Sequence, residues 1–272
     1  MLRLSRLVCL AYLAAACGLA PWLAAADPLR VGGTGAALGL MAELGNDFAA
    51  GGGSHVEVVP SLGTGGGLHA LPDGVLDLAV AGRELTESER ATGLHVVITM
   101  STLYVLATSM PDPPSVAAAD VPHMFADPKA TWPNGTAIRV VLRPTQETDY
   151  LFLFRLFPGT EAAVAALRRR NDVPLAATDQ DNQELAAQLS GSLISTTLTQ
   201  LLTEHRALRM VPIDGLAPSV STLADGSYHY RRPIFIVARP HPIPLVEHFI
   251  DFIQSDQERA TLLRNGVLLD GG

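Results

Sequence analysis

Residues 28–38 read PLRVGGTGAAL, and residues 56–68 read VEVVPSLGTGGGL. In each stretch a short aliphatic run enters a turn rich in glycine and threonine. A helical pattern follows each turn, over residues 36–50 after the first, and a third aliphatic run occupies residues 76–81. Strands that alternate with helices through glycine-rich turns predict a parallel α/β sheet.

A second α/β unit follows a proline-rich stretch, MPDPP, at residues 110–114. Strand patterns are predicted at residues 96–100, 103–107, 137–142, 191–194, 208–213 and 233–238. Helical patterns are predicted at residues 117–125, 150–157, 160–170, 181–189 and 244–264, the last being the longest. The chain therefore reads as two α/β units.

Composition limits the class of protein. The chain has 272 residues, of which 48% are hydrophobic and 17% are charged, and its formal net charge is −8. It is too apolar to be disordered, and it lacks the basic surplus of a nucleic-acid-binding protein. At roughly 150 residues per domain, this length suggests about two domains.

The first 26 residues resemble a signal peptide. Arg3 and Arg6 are basic, residues 7–16 are apolar, and residues 24–26 are small alanines of the kind found at cleavage sites. We therefore expect a mature chain that begins at Asp27 and is exported to the periplasm. Cys17 leaves lipoprotein anchoring open as the alternative.

The same segment contains both cysteines, Cys9 and Cys17, so the mature chain is expected to have no disulfide and no thiolate metal site. The eight histidines show no spacing typical of metal ligands, and no serine nucleophile motif is present. We accordingly predict no metal, no cofactor and no catalytic residue, although a hydrolase stays an open alternative.

Three turns are candidates for binding an anion: residues 33–38, residues 61–67 and residues 143–149. Glycines let backbone amides point into one space, and a following helix adds partial positive charge there. The third turn offers the Arg143 guanidinium and the hydroxyls of Thr145 and Thr148. Each turn taken alone is more typical of a tight connection that binds nothing, and the order of the three turns along the chain is more informative than any one of them.

The order of these motifs resembles that of periplasmic phosphate-binding proteins of ABC importers, in the two-domain, type II solute-binding superfamily. Residues 33–38, 61–68, 75–85, 228–237 and 252–266 carry the resemblance, together with Arg143. It implies a two-lobed α/β fold in which helices flank a mixed or parallel sheet in each lobe, with a ligand cleft between the lobes. Lobe one would hold residues 27–108 and 214–272, and lobe two residues 109–213.

The resemblance also implies which residues contact the ligand. We expect these to be Gly35, Ala36, Ala37, Leu38, Thr64, Gly65, Arg83, Arg143, Thr145 and Thr148. The sequence departs from the family at two places. Gly82, beside Arg83, stands where the family has an aspartate that accepts a proton from the ligand, and Glu147 stands where it has a serine.

The expected function is that of an exported, monomeric binding protein that captures a small anion, phosphate or a related oxyanion, for an ABC importer. Its partners would be that anion and a permease in the inner membrane, with no nucleic acid. The departures at Gly82 and Glu147 leave the identity of the anion open. They also leave open a sensory or scaffold protein of the same fold with altered or lost anion binding.

Overall fold

The computed structural model describes residues 27–60 and 62–270, so the predicted signal peptide lies outside the described residues. The strands are β1 Leu29–Gly33, β2 Val56–Val59, β3 Leu78–Ala81, β4 His95–Thr108, β5 Arg139–Val140, β6 Ser192–Thr197, β7 Arg209–Met210, β8 Arg231–Ala238 and β9 Val267–Leu269. The helices are α1 Leu38–Ala50, α2 Gly63–Ala70, α3 Glu87–Ala91, α4 Val121–Ala126, α5 Thr148–Leu156, α6 Thr160–Leu167, α7 Asp179–Gln188, α8 Leu198–Glu204, α9 Val220–Ala224, α10 Pro244–Gln254 and α11 Asp256–Arg264. Two 3₁₀ turns, Gly35–Ala37 and Ala118–Asp120, precede α1 and α4.

The strands follow the order β2-β1-β3-β8-β4-β6-β5, and β7 and β9 also pair with β4. Strand β1 runs parallel to β2 and β3, whereas β8 runs antiparallel to β3 and β4. Strand β4 pairs with β8 as far as Leu103 and with β6 from Tyr104 onward. The predicted α/β fold with a mixed sheet is confirmed, and β4 links its two halves.

Each half of the sheet has its own hydrophobic core. In the first lobe, built around β1, β2 and β3, Leu40, Phe48 and Phe249 are buried in one cluster. In the second lobe, built around β5 and β6, Trp132 and Phe157 are buried in another. This second cluster also contains residues as late in the chain as 228. The limits of the lobes, at 108/109 and 213/214, stay a prediction.

Several predicted elements differ from the structure. The strands predicted at residues 137–142 and 208–213 are confined to Arg139–Val140 and Arg209–Met210, and two other patterns are divided differently. The strand patterns at residues 96–100 and 103–107 belong to one strand, β4, because the intervening Thr102 is buried and its hydroxyl donates to the Gly266 carbonyl at 2.7 Å. The long helical pattern at residues 244–264 is two helices. Ser255 is extended between them and its hydroxyl caps α11 by accepting from the Glu258 amide, so the helix restarts there.

Among the described helices, none combines the length and the apolar character needed to cross a membrane.

Candidate functional site

The three predicted turns meet at a small cavity of about 70 Å³ where the two lobes face each other. The first lobe contributes Gly35 and Gly63, and the second contributes Arg143, Glu147 and the start of α7. The lining residues are Gly35, Leu62, Gly63, Arg143, Glu147, Ala177, Thr178, Asp179 and Gln180. We call this cavity the cleft.

Glycine is required where the first turn leaves the sheet. Gly33 has φ of +140°, and a side chain there would place its Cβ 2.0 Å from the Val80 carbonyl oxygen. The next amide, that of Thr34, donates to the same oxygen at 2.8 Å. A Cβ on Gly67 of α2 would lie only 2.7 Å from the Gly33 Cα. These close approaches hold both glycine turns at the edge of the cleft.

Several helices begin at or beside the cleft. The 3₁₀ turn at Gly35 leads into α1, α2 begins at Gly63, α5 begins directly after Glu147, and α7 begins at Asp179. The first amides of a helix lack partners within the helix and carry a partial positive charge. This convergence favours a negatively charged group in the cleft.

Arg143 is the guanidinium of the cleft, and it is only 3% exposed. Its Nη1 donates to Asp179 Oδ1 at 2.6 Å, and its Nη2 lies 3.2 Å from Glu147 Oε2. Its backbone amide donates to the Tyr150 hydroxyl at 2.9 Å, and its carbonyl accepts from Arg168. The guanidinium is therefore fixed in place, and both of its terminal nitrogens contact carboxylates.

The carboxylates outnumber the guanidinium in the cleft. Burial raises the pKa of the Glu147 carboxyl; Arg143 opposes this rise, and Asp179 adds to it. Ionisation of Glu147 is therefore unfavourable relative to ionisation in water, in spite of its contact with Arg143. The groups that face the cleft carry one positive and two negative charges when all are ionised.

The lobes touch at the first glycine turn. Gln180 Nε2 donates to the Gly35 carbonyl at 3.0 Å, and the Thr197 hydroxyl donates to the Ala36 carbonyl at 3.1 Å. A Cβ on Gly35 would lie 2.6 Å from Asp179 Oδ2. The absence of a side chain at position 35 therefore lets Asp179 approach the turn.

A second buried guanidinium, Arg232 of β8, lies beside the cleft and is 2% exposed. It lies 3.1 Å from Asp149 Oδ1 and donates to the Thr148 hydroxyl at 3.0 Å. Burial raises the pKa of Asp149; Arg232 and a hydrogen bond from Ser195 oppose the rise. This ion pair joins β8, which pairs with β3 of the first lobe, to α5 of the second.

Arg232 was not among the residues predicted to bind the ligand, although the sequence contains a signal for its burial. Side chains alternate along a strand, and Arg232 has the same parity in β8 as Ile234, Ile236 and Ala238, which are buried in the core. Arg232 also fills the space beside Gly82, where an added Cβ would lie 2.5 Å from its Nη2.

The other predicted ligand residues are placed in different surroundings. Thr64 is buried and its hydroxyl accepts from the Gly82 amide at 3.0 Å. Arg83 contacts Glu89 through both terminal nitrogens at 2.9 Å, outside the cleft lining. Gly65 and Thr145 are exposed.

The remaining predicted ligand residues lie at or near the cleft. Gly35, Ala36, Ala37 and Leu38 are buried at the first turn. The Thr148 hydroxyl accepts a hydrogen bond from Arg232. The structure thus brings Gly35 and Arg143 together but does not bring Arg83, Gly65 or Thr145 to them.

The sequence of the chain matches a known protein family. A family model described as a PBP superfamily domain matches residues 20–257. No curated protein matches the sequence.

Solved structures resemble the chain at low sequence identity. One, from Clostridium perfringens, was assigned as a phosphate ABC transporter substrate-binding protein and contains phosphate; its TM-score is 0.73 at 15% identity, covering 89% of this chain and 99% of that one. An ABC-type phosphate transport receptor from Vibrio cholerae has a TM-score of 0.59 at 17% identity, covering 89% and 100%. Reduced OxyR from N. meningitidis has a TM-score of 0.56 at 11% identity, covering 89% and 97%. At these identities the likeness concerns the fold.

Proposed function

The chain belongs to the PBP superfamily, and from that premise we propose that it is an exported solute-binding protein that captures a small anion in the cleft for an ABC importer. The observation that carries this proposal is the convergence of Gly35, Gly63 and Arg143 on one cavity together with several helix N-termini. Such an arrangement provides backbone amides, helix dipoles and one guanidinium for a negative group.

The proposed ligand is small, because the cleft measures about 70 Å³ and the lobes already touch at Gly35. Separation of the lobes would expose the ligand to water, and closure would surround it, as in other hinged binding proteins. The proposed location is the periplasm, the proposed partner is an inner-membrane permease, and the proposed state is a monomer. The proposed activity is binding without catalysis.

Thermal unfolding of the mature chain with phosphate, sulfate, molybdate, nitrate, acetate and formate tests the proposal. A ligand that binds only the folded chain raises the Tm by mass action. We expect at least one of these anions to do so, and Arg143→Ala to abolish that rise. Arg83→Ala is the matched control, since it removes an arginine outside the cleft and should leave the rise intact. No rise with any anion would contradict the proposal.

A sensory or scaffold role is a second candidate, favoured by one observation: Arg143 is already paired with Asp179 and Glu147. A cleft whose guanidinium is satisfied internally can remain closed without a ligand. Affinity capture by the exported chain distinguishes the two, because a permease partner would support transport and a signalling partner would support sensing.

A further inference from the structure

The cleft contains its own anions. Asp179 and Glu147 place carboxylate oxygens on both terminal nitrogens of Arg143, at 2.6 Å and 3.2 Å. We propose that Asp179 and Glu147 are specificity-determining residues that exclude multiply charged anions and so limit the ligand to a singly charged one. This inference rests on the proposed function and names the ligand class of the same site.

Neither carboxylate is needed to cap the helix that carries it. Helix α7 is capped by Thr178, whose hydroxyl accepts from the Asp181 amide, while the Asp181 carboxylate accepts from the Thr178 amide. Glu147 precedes α5 but makes no side-chain capping hydrogen bond. Because helix capping does not engage them, the side chains of Asp179 and Glu147 are directed to Arg143 instead.

The space around these groups leaves little room for an additional anion. Asp179 lies against Gly35, so its carboxylate fills the gap between the first glycine turn and Arg143. The Nε of Arg143 is buried without a hydrogen-bond partner among the described residues, so it offers no exposed donor. An incoming anion that is to bind Arg143 must therefore share Nη1 or Nη2 with one of the two carboxylates.

The balance of charge determines which anions can do so. With Arg143, Asp179 and Glu147 all ionised, the cleft has a net charge of −1 before any ligand enters. Of the neighbouring charges, Arg232 is paired with Asp149, and the Glu204 carboxylate, hydrogen-bonded to Gln180, is offset by Arg168, which donates to the Arg143 carbonyl. The balance therefore stays negative. Attraction to Arg143 and repulsion from the two carboxylates both grow with the charge on the ligand. A site with a net charge of −1 therefore repels a dianion about twice as strongly as a monoanion.

Isothermal titration at pH 7.5 with sulfate as the dianion, and with nitrate and acetate as monoanions, tests this inference. Wild type is expected to bind nitrate or acetate and to give no detectable heat with sulfate. Asp179→Asn and Glu147→Gln keep the shape of the side chains and remove one charge each. We expect each to bind sulfate at least tenfold more tightly than wild type, and the double variant to bind it most tightly.

Glu184→Gln is the matched control, because Glu184 is an exposed carboxylate on the same helix α7, and it should leave sulfate binding unchanged. Circular dichroism verifies that each variant is folded. If wild type binds sulfate as tightly as the variants do, the inference is overturned while the anion-binding function stands. If wild type binds none of the three anions and the double variant gains sulfate, the exclusion of dianions is supported and the capture of nitrate or acetate is overturned. If no protein binds any of the three anions, the inference fails, and the thermal unfolding test with six anions decides the proposed function separately.

Discussion

Two arginines that each follow a strand of the sheet lie in opposite environments. Arg83, after β3, forms a partly solvated pair with Glu89, and its hydrogen bonds lower the pKa of that carboxyl to about 2. Arg143, after β5, lies buried between Glu147 and Asp179, yet the pKa of Glu147 is raised because burial outweighs the ion pair.

The difference shows that contact between opposite charges does not by itself decide what an ion pair does. Where water still reaches both groups, the desolvation cost is small and the charged carboxylate is favoured, although the net gain in stability is modest. Where the groups are buried, desolvation opposes the charged form. The Arg83–Glu89 pair suits a surface turn of fixed structure. The buried group of Arg143, Glu147 and Asp179 suits a site whose ionisation changes when a charged ligand binds.

Removal of the arginine should separate the two environments most strongly. Arg143→Ala leaves Asp179 and Glu147 facing each other in a largely buried site, and we expect it to lower the free energy of unfolding by about 3 kcal/mol at pH 7. Arg83→Ala should cost about 1 kcal/mol or less. Urea denaturation of both variants measures the two values. Equal losses would contradict the distinction between the environments.

The wall of the cleft can be tested at Gly35. Gly35→Ala places a methyl group 2.6 Å from Asp179 Oδ2, so Asp179 must move away from the turn. We expect a loss of about 1–3 kcal/mol in the free energy of unfolding, as for other overpacked positions. Urea denaturation checks this value, and an unchanged stability would mean that Asp179 does not pack against the turn.

The pH dependence of stability should have opposite signs at the two carboxyls. Glu147 has a raised pKa in the folded chain, so its ionisation costs stability at neutral pH. Glu147→Gln should therefore raise the Tm at pH 7.5, and this gain should shrink as the pH falls toward 4.5. Glu89 has a lowered pKa, so its contribution is complete above pH 4.5 and is lost between 4.5 and about 2.

Glu89→Gln should accordingly lower the Tm at pH 7.5, by an amount equivalent to about 1 kcal/mol or less because the pair is partly solvated. Thermal unfolding of wild type and both variants from pH 3 to pH 8 measures these differences. Shifts of the same sign at pH 7.5 would show that burial is not what separates the two sites.

The smallest effect is expected at Gly65, which lies within α2 but faces open space. Gly65→Ala should stabilise the chain by about 0.5–1 kcal/mol, because alanine restricts the unfolded chain and favours the helix. Chemical denaturation beside Gly35→Ala provides the comparison. A destabilised Gly65→Ala would indicate that something packs on this face of α2.

Local patterns predicted much of the fold. The strand at residues 56–59 lies where its alternation placed it, and the two glycine turns lie at the starts of helices, because strand period and glycine-rich turns are written in neighbouring residues. The break at Ser255 also had a local signal: a serine precedes a glutamate three residues later, which is a helix-start pattern. The hydrophobic periodicity of residues 244–264 continues across Ser255, so periodicity alone predicted one helix.

The site was less predictable, because its decisive contacts join distant residues. Asp179 is 36 residues from Arg143, and Arg232 is 83 residues from Asp149, so no spacing in the sequence reveals either pair. The contact of Arg83 with Glu89 was more predictable, because the two residues are close in sequence. Thr86 and Glu89 form a capping box, and this motif fixes the glutamate near the arginine.

Strand β4 has a consequence for how the molecule comes apart. Its fourteen residues carry hydrogen bonds to β8 on one side of Leu103 and to β6 on the other. Unfolding of either half would remove hydrogen-bond partners from β4, and β4 is also the strand with which the other half of the sheet pairs. The two cores are therefore coupled through one shared strand, and this coupling favours loss of structure in one cooperative step over sequential melting.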